Sequence, residues 1–378
     1  MTLQTYLNSK PLYYKEIDHK RVHHAYAILK PHIILPLVVH IVGTNGKGST
    51  GRVVAHLAYK GGKSVGHFSS PHILKFNERI WMNGEESSDE ILEEGHQKLF
   101  TVLGHIISDT LSYFEYTTLL SLVVFEKCDL IVLEAGLGGE FDATNICDKA
   151  LSIITPIGID HQDFLGETIE EIASTKIKSI QKKMLIAPQI YKEVFSIARD
   201  ICKEKKAKCI EVEIKENPFL TQMAHKKQWG GYLIENAQVA MQALDILEID
   251  YNREDLDDLE LFGRFYLLTK NIRIDVGHNP LGAMAIEKAL RHKVVLIYNS
   301  LEDKAYKEVL EILKPKIKRV EIIKIDSQRA TTLTQIEEAL KEVGLEYSYF
   351  KDEVAEDEKY LVFGSFYVVE AFLKHYSI

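Results

Sequence analysis

Residues 37–42 (LVVHIV) form an apolar run that breaks into Gly43-Thr44-Asn45-Gly46-Lys47-Gly48-Ser49-Thr50, then continues into the helix-like segment STGRVVAHLAYK beginning near Ser49. A strand, a glycine-rich turn and a helix in that order let backbone N–H groups turn inward around an anion, while the helix N-terminus adds the positive end of its dipole. Glycine makes such a turn sterically accessible, and Lys47 supplies a point charge for the outer phosphates of a nucleotide. A hydroxyl from Ser49 or Thr50 completes the cradle. The pattern departs from the strict G-x-x-x-x-G-K-S/T form, because Ile41 stands at its first glycine position and Gly48 follows the lysine.

This arrangement belongs to α/β folds, and strand-like runs alternate with helix-like ones from about residue 37 onward, the sign of βαβ units and a parallel sheet. Residues 37–42, 130–133 and 151–154 read as buried strands, each followed by polar residues able to do chemistry. Open α/β sheets gather ligands outside the carboxyl ends of their strands. The stretch 181–216 is ambiguous apart from a helical period at 191–206. A helix at 236–247 leads into an acidic linker region, 250–260, after which the alternation restarts with strands at 272–274, 294–298, 320–325 and 360–363 and helices at 281–291, 305–313 and 332–343, before a C-terminal helix. At 378 residues the chain exceeds the usual single core, so two domains and a cleft are expected. They are an N-terminal P-loop ATPase-type domain with a parallel sheet (1–262) and a smaller Rossmann-like domain (263–378).

Composition narrows the partners. With 46% hydrophobic and 27% charged residues the chain is of globular type, and a formal net charge of −9 with a pI near 6.0 lacks the basic footprint of a nucleic-acid or anionic-membrane binder. The four cysteines form no CxxC pair, the N-terminus has no signal-peptide pattern, and residues 33–42 are too few to span a bilayer, so a cytoplasmic protein with reduced thiols is expected.

Two further positions carry chemistry. Glu134 ends an apolar strand and opens Glu134-Ala135-Gly136-Leu137-Gly138-Gly139, a place from which a carboxylate can hold Mg²⁺ against nucleotide phosphates. His161, in Ile157-Gly158-Ile159-Asp160-His161, follows a second strand. Taken alone, a histidine so placed is more often a capping or core residue than a ligand, and the composition of the loop does not decide between them.

The loop at Gly43 to Thr50, Ser69-Ser70-Pro71-His72, Phe76-Asn77-Glu78-Arg79-Ile80, Phe114-Glu115-Tyr116-Thr117-Thr118, Asp142-Ala143-Thr144-Asn145 and Asp275-Val276-Gly277-His278-Asn279-Pro280 together resemble the folylpolyglutamate/dihydrofolate synthases, over nearly the whole chain. Within the wider Mur-ligase-like group this combination is specific to the folate branch. The resemblance implies Mg²⁺ ligands at Ser70, Glu134 and His161, and ATP contacts from Lys47 and its neighbours, Asn236, Arg264 and Asp275. It also implies a pterin pocket lined by Ile17, Asp18 and His19, by Phe114, Glu115, Tyr116 and Thr117, and by Phe141, Asp142 and Ala143. Lys176 stands where the family places a lysine carbamylated by CO₂, although the local sequence Thr175-Lys176-Ile177-Lys178-Ser179 departs from the family's. Glu140 replaces a usual arginine, and Tyr298-Asn299 stand where a glycine before Asp303-Lys304 is usual.

The implied reaction is ATP-dependent amide formation between L-glutamate and dihydropteroate or a reduced folate. One or two Mg²⁺ ions and Lys47 offset charge as the acceptor carboxylate attacks the γ-phosphate, and glutamate's amine then attacks the acyl phosphate. Lys47, Lys176 and His278 are the candidate catalytic residues, with Ser365 as a further one for orienting glutamate or phosphate. Asp18 favours dihydropteroate as acceptor, a monomer is expected, and domain closure would keep water from the acyl phosphate. The rivals are a peptidoglycan-type Mur ligase, for whose leading domain the 42 residues before Gly43 leave no room, and a catalytically silent nucleotide-binding regulator.

Overall fold

The computed structural model describes residues 1–11, 18 and 20–376. The chain divides into two compact units, one made of Met1–Ile157, Ile169–Glu213 and Ala237–Leu259, the other of Gly158–Thr168, Ile214–Asn236 and Glu260–Ile378. The boundary expected at 262/263 lies inside the last of these segments.

The first unit is built on strands β1 (Leu37–Val42), β2 (Val65–Phe68), β3 (Ile80–Met82), β4 (Glu85–Glu86), β5 (Leu130–Glu134), β6 (Leu151–Ile154), β7 (Lys183–Ile186) and β8 (Lys208–Glu211), in the order β4-β3-β2-β5-β1-β6-β7-β8. From β2 to β8 every pairing is parallel, and the β3–β4 hairpin adds an antiparallel edge. The strand period of two sends Ile131 and Leu133 of β5 to the same face, where they pack with Val38, Phe68 and Ile80. Helices Asp89–Thr110 and Tyr113–Val124 cover that face with Leu92, Leu99, Leu119, Leu120 and Leu122. Ser112 and Glu115 start the second of these helices as a capping box. The acidic stretch after residue 250 forms a 3-10 turn, Arg253–Asp258, held on the helix Lys47–Lys60: His56 Nε2 bonds the Asp255 carbonyl at 2.8 Å and Lys60 pairs with Asp258 at 2.8 Å.

The second unit contains β9 (Tyr266–Thr269), β10 (Ile272–Ile274), β11 (Val294–Tyr298), β12 (Ile317–Ile322), β13 (Tyr347–Tyr349) and β14 (Tyr360–Phe363), ordered β13-β12-β11-β14-β10-β9. All pairings are parallel except β9–β10. Its core joins Leu296, Tyr298, Val320, Ile322, Leu361 and Phe363 to apolar residues of the helices Pro280–Ala289, Tyr306–Leu313 and Leu333–Val343.

Several boundaries differ from the expected ones for local reasons. The phosphate-loop helix begins at Lys47, because Gly46 at φ +84° turns the chain into helical geometry before Ser49. β12 starts at Ile317, where Lys318 and Arg319 interrupt the apolar pattern; Arg319 pairs with Glu321 and Glu358. The ambiguous stretch resolves into β7, the helix Glu193–Lys205 and β8. Among the described residues, no helix is long and apolar enough to cross a membrane.

Candidate functional site

Four adjacent parallel strands, β2, β5, β1 and β6, end at one edge of the first sheet, and the ends of β2, β5 and β1 each deliver a candidate group. β1 runs into the phosphate loop. A Cβ on Gly43 would stand 2.0 Å from Thr155 Oγ1, so the loop fits against the end of β6 only as glycine. The amides of Thr44 and Asn45 donate to the Pro156 carbonyl at 2.9 and 3.2 Å, which anchors the turn. The helix Lys47–Lys60 opens on Gly46 with no side-chain cap, leaving its first-turn N–H groups to face whatever anion the loop holds. Lys47 Nζ lies over its own loop, 3.2 Å from the carbonyls of both Gly43 and Thr44. Ser49 Oγ donates to the Gly46 carbonyl at 3.2 Å, and the buried Thr50 Oγ1 has no hydrogen-bond partner among the described residues.

β5 ends at Glu134, which is buried, and β2 leads to Ser69 and Ser70, whose amide donates to Glu134 Oε2 at 3.4 Å. The segment after Ser70 is tied down by Glu78, whose carboxylate accepts the amides of Ile73, Leu74 and Lys75 at 2.6, 2.7 and 2.8 Å. Arg79 Nε donates to His72 Nδ1 at 2.8 Å. Lys176, on the helix Ile169–Ile177, is buried, and its Nζ donates to the Gly43 carbonyl at 3.1 Å. Gly139 packs on the backbone of Lys176, where an added Cβ would lie 2.4 Å from the Lys176 carbonyl oxygen. The first unit thus brings together the phosphate loop, Ser70, Glu134, Lys176 and the loop of residues 136–145.

The second unit repeats the principle. β10 ends at Asp275, buried, whose carboxylate accepts the Phe265 and Gly277 amides at 2.7 Å each and the Tyr232 hydroxyl at 3.0 Å. Burial pushes this carboxyl up, against the nearby Arg264 charge and these hydrogen bonds. Arg264 lies 5.3 Å over the Phe366 ring, and Asn236 is buried. Ser365, after β14, caps the helix Phe366–His375 by accepting the Val368 amide at 3.2 Å.

His161 and His278 meet in this unit around Asp160. The Asp160 carboxylate accepts Lys304 Nζ at 2.6 Å, Asn279 Nδ2 at 2.9 Å and the His161 amide at 2.9 Å, with His278 Nε2 at 3.5 Å. Burial raises the Asp160 carboxyl, but the hydrogen bond and charge of His278 with Lys304 and His161 more than reverse this and hold it well below the usual carboxylate range. Lys304 also lies 3.4 Å from His161 Nε2. Sequence reasoning singled out neither Asp160 nor Lys304. They are 144 positions apart, and no local pattern marks the pair.

No protein-family model matches the chain. The dihydrofolate synthase/folylpolyglutamate synthase of Escherichia coli (strain K12) is 31% identical over 339 residues, covering 83% of this chain and 78% of its own length. This chain belongs to the dihydrofolate synthase/folylpolyglutamate synthase family. The counterpart of the same name from Haemophilus influenzae is 29% identical and covers 89% of this chain and 88% of its own. The crystal structure of Helicobacter pylori folylpolyglutamate synthetase superposes with a TM-score of 0.81 at 41% identity, covering 99% of this chain and 97% of that one. Escherichia coli FolC in complex with DHPP and ADP gives a TM-score of 0.83 at 26% identity, over 98% and 95%.

The pterin-pocket segments implied by the resemblance to this synthase family fall in different surroundings. Ile17 and His19 lie outside the described residues; Asp18 is exposed, and its carboxylate accepts the Lys20 amide at 2.9 Å. The Phe114 ring covers Gly136, where an added Cβ would lie 2.6 Å from it. Tyr116 is fully buried, with its hydroxyl 2.8 Å from His96 Nδ1, and Thr117 Oγ1 donates to the Phe114 carbonyl at 3.1 Å. Glu115 accepts the Ser112 amide at 2.7 Å and lies 3.6 Å from Arg21. Phe141 is exposed, while Asp142 and Ala143 are buried. Glu140 contributes its amide to the Thr175 carbonyl at 2.9 Å, so this position adjoins the helix carrying Lys176.

Proposed function

We propose that this chain is an ATP-dependent ligase that joins L-glutamate to the carboxylate of a pterin acid, dihydropteroate or a reduced folate, through an acyl phosphate. The observation that carries the reading is the shared strand edge on which the phosphate loop, the Ser70–Glu134 pair and the buried Lys176 converge. An amide cannot form directly from a carboxylate, whose oxygen is a poor leaving group and whose charge repels an amine. Phosphorylation removes both obstacles, and phosphoryl transfer asks of the protein mainly positioning and charge compensation. Lys47 and the first-turn amides of its helix supply that compensation for the β- and γ-phosphates.

Glu134 and Ser70 offer hard oxygen donors, which suit Mg²⁺, an ion that keeps several waters and takes one or two carboxylates beside substrate phosphates. These two residues fit the ion; His161 is carried as a further ligand by the resemblance. When bound, the ion neutralises charge on the phosphate oxygens. We assign Asn236, Arg264 and Asp275 to ATP, and His278 with Ser365 to glutamate or phosphate. Lys176 is the site for a CO₂ carbamate, because its amine is buried beside the phosphate-loop carbonyl rather than solvated. Four free thiols support a cytoplasmic setting.

An oxygen-transfer experiment tests the chemistry. With heavy oxygen in the acceptor carboxylate, the label should appear in released inorganic phosphate in step with product. Unlabelled phosphate accompanying product would exclude the acyl phosphate.

A further inference from the structure

His40 and Thr144 have no role in the chemistry above, yet both are completely buried polar residues in the middle of the first unit. His40 is on β1, the strand that runs into the phosphate loop, and Thr144 is in the 3-10 turn Ala143–Ile146 that follows Phe141 and Asp142. The Thr144 hydroxyl donates to Asp142 Oδ1 at 2.5 Å, and the Thr144 amide donates to the same oxygen at 2.9 Å. The other Asp142 oxygen accepts the Leu137 amide at 2.8 Å.

A hydroxyl has a single proton, so one that donates to a carboxylate can only accept from its remaining neighbour. That neighbour is His40 Nε2, 2.8 Å away, which carries the proton whenever the Asp142 carboxyl, pushed up by burial against four hydrogen bonds, is ionised. The ring is fixed as the neutral Nε2–H tautomer, and its Nδ1 becomes a bare lone pair. Consistently, His40 Nδ1 is a buried atom with no hydrogen-bond partner among the described residues. Burial, with Lys149 nearby, keeps the ring from charging.

We propose that the His40–Thr144–Asp142 chain is a positioning device that pins the loop of residues 136–145 to β1, the strand that carries the phosphate loop. The register it sets is that between the acceptor acid and the γ-phosphate; this part rests on the reading that Phe141 to Ala143 contact a pterin acid. His40 and Thr144 act through Asp142 and touch no substrate themselves.

The test pairs kinetics with a readout independent of activity. In Thr144→Val, which loses two buried hydrogen bonds, and in His40→Leu, which loses one, KM for the pterin acid should rise on the order of 10-fold or more while KM for ATP stays within about twofold. Thr144→Ser restores the hydroxyl and His40→Gln restores a donor near Nε2, and both should return the acceptor KM to within about threefold of wild type. Ring-nitrogen NMR of the wild-type protein should show His40 as the neutral Nε2–H form, and the Leu137 and Thr144 amides should exchange faster with solvent in Thr144→Val. An Nδ1–H tautomer or an imidazolium, unchanged exchange, or acceptor and ATP KM rising together would overturn the chain. A wild-type protein that turns over no pterin acid would sink the parent reading alone, with tautomer and exchange still deciding the positioning claim.

Discussion

Asp160 is a buried carboxylate whose acceptor positions are filled by Lys304, Asn279 and the His161 amide, with His278 alongside. Removing one partner of such a pair leaves the buried Lys304 with only the longer carboxylate contact to Asp303, at 3.7 Å, among the described residues, which costs more than the intact pair contributes. Asp160→Asn should therefore destabilise the protein by about 3–5 kcal/mol in urea denaturation, and adding Lys304→Met should recover most of it. A single-variant loss below about 1 kcal/mol would mean that Asp303 or solvent compensates Lys304 without Asp160. Lys149 presents the opposite case. It is buried, its Nζ donates to the Ser179 carbonyl at 2.7 Å and to Asn145 Oδ1, and desolvation lowers it to about 8 from 10.5. Between those two values the unfolded chain holds a proton the folded one has released, so stability rises with pH across that window. Relative to Lys149→Met, the wild type should gain up to about 1.4 kcal/mol per pH unit as pH climbs through it. Parallel stability profiles for the two proteins would contradict the shift.

Among elements, the loop after Ser70 shows how one side chain orders a segment. Glu78 accepts three consecutive amides, from Ile73, Leu74 and Lys75. Glu78→Gln removes the charge and turns an NH₂ group toward N–H donors, a loss of about 1–3 kcal/mol in local order. Hydrogen exchange at residues 73–75 should accelerate by roughly 10- to 100-fold, with β2 and β5 unaffected. Uniform exchange across wild type and variant would show that the loop holds without the carboxylate. Which elements were legible in the sequence follows from their physics. β1, β5, β6, β11 and β14 are parallel strands buried along nearly their whole length and read as continuous apolar runs. The strands β3, β4 and β13 are two or three residues long, too short for a period to register, and β4 and β13 are mostly exposed. The segment Asp89–Thr110 is capped by Ser88 and interrupted at Gly104, at φ +69°, so its helical period does not run unbroken to the end.

At the scale of the molecule, the candidate site was legible where it is local. The phosphate loop, Glu134 at its strand end and the segment after Ser70 are short contiguous signals, and the fold brings their strand ends together because β2, β5, β1 and β6 are parallel neighbours. The pairings made across long stretches of chain, Asp160 with Lys304 and His40 with Thr144, are not marked in the sequence: Thr144 and Lys304 fall in motifs of the family resemblance, but nothing local says which distant residue each meets. Resemblance to the synthase family supplied the remaining positions, and the structure gives each described one an environment from which a variant can be judged. The central claim is ligation itself, and it is read most directly by incubating purified protein with ATP, Mg²⁺ and L-glutamate, offering dihydropteroate or tetrahydrofolate, and following ADP release together with the mass of the product. The account predicts ADP and glutamylated acceptor in equal amounts with at least one of the two acids, and a rate lower by about 100-fold or more in Lys47→Ala. No product from either acid, or product formation indifferent to Lys47→Ala, would contradict it.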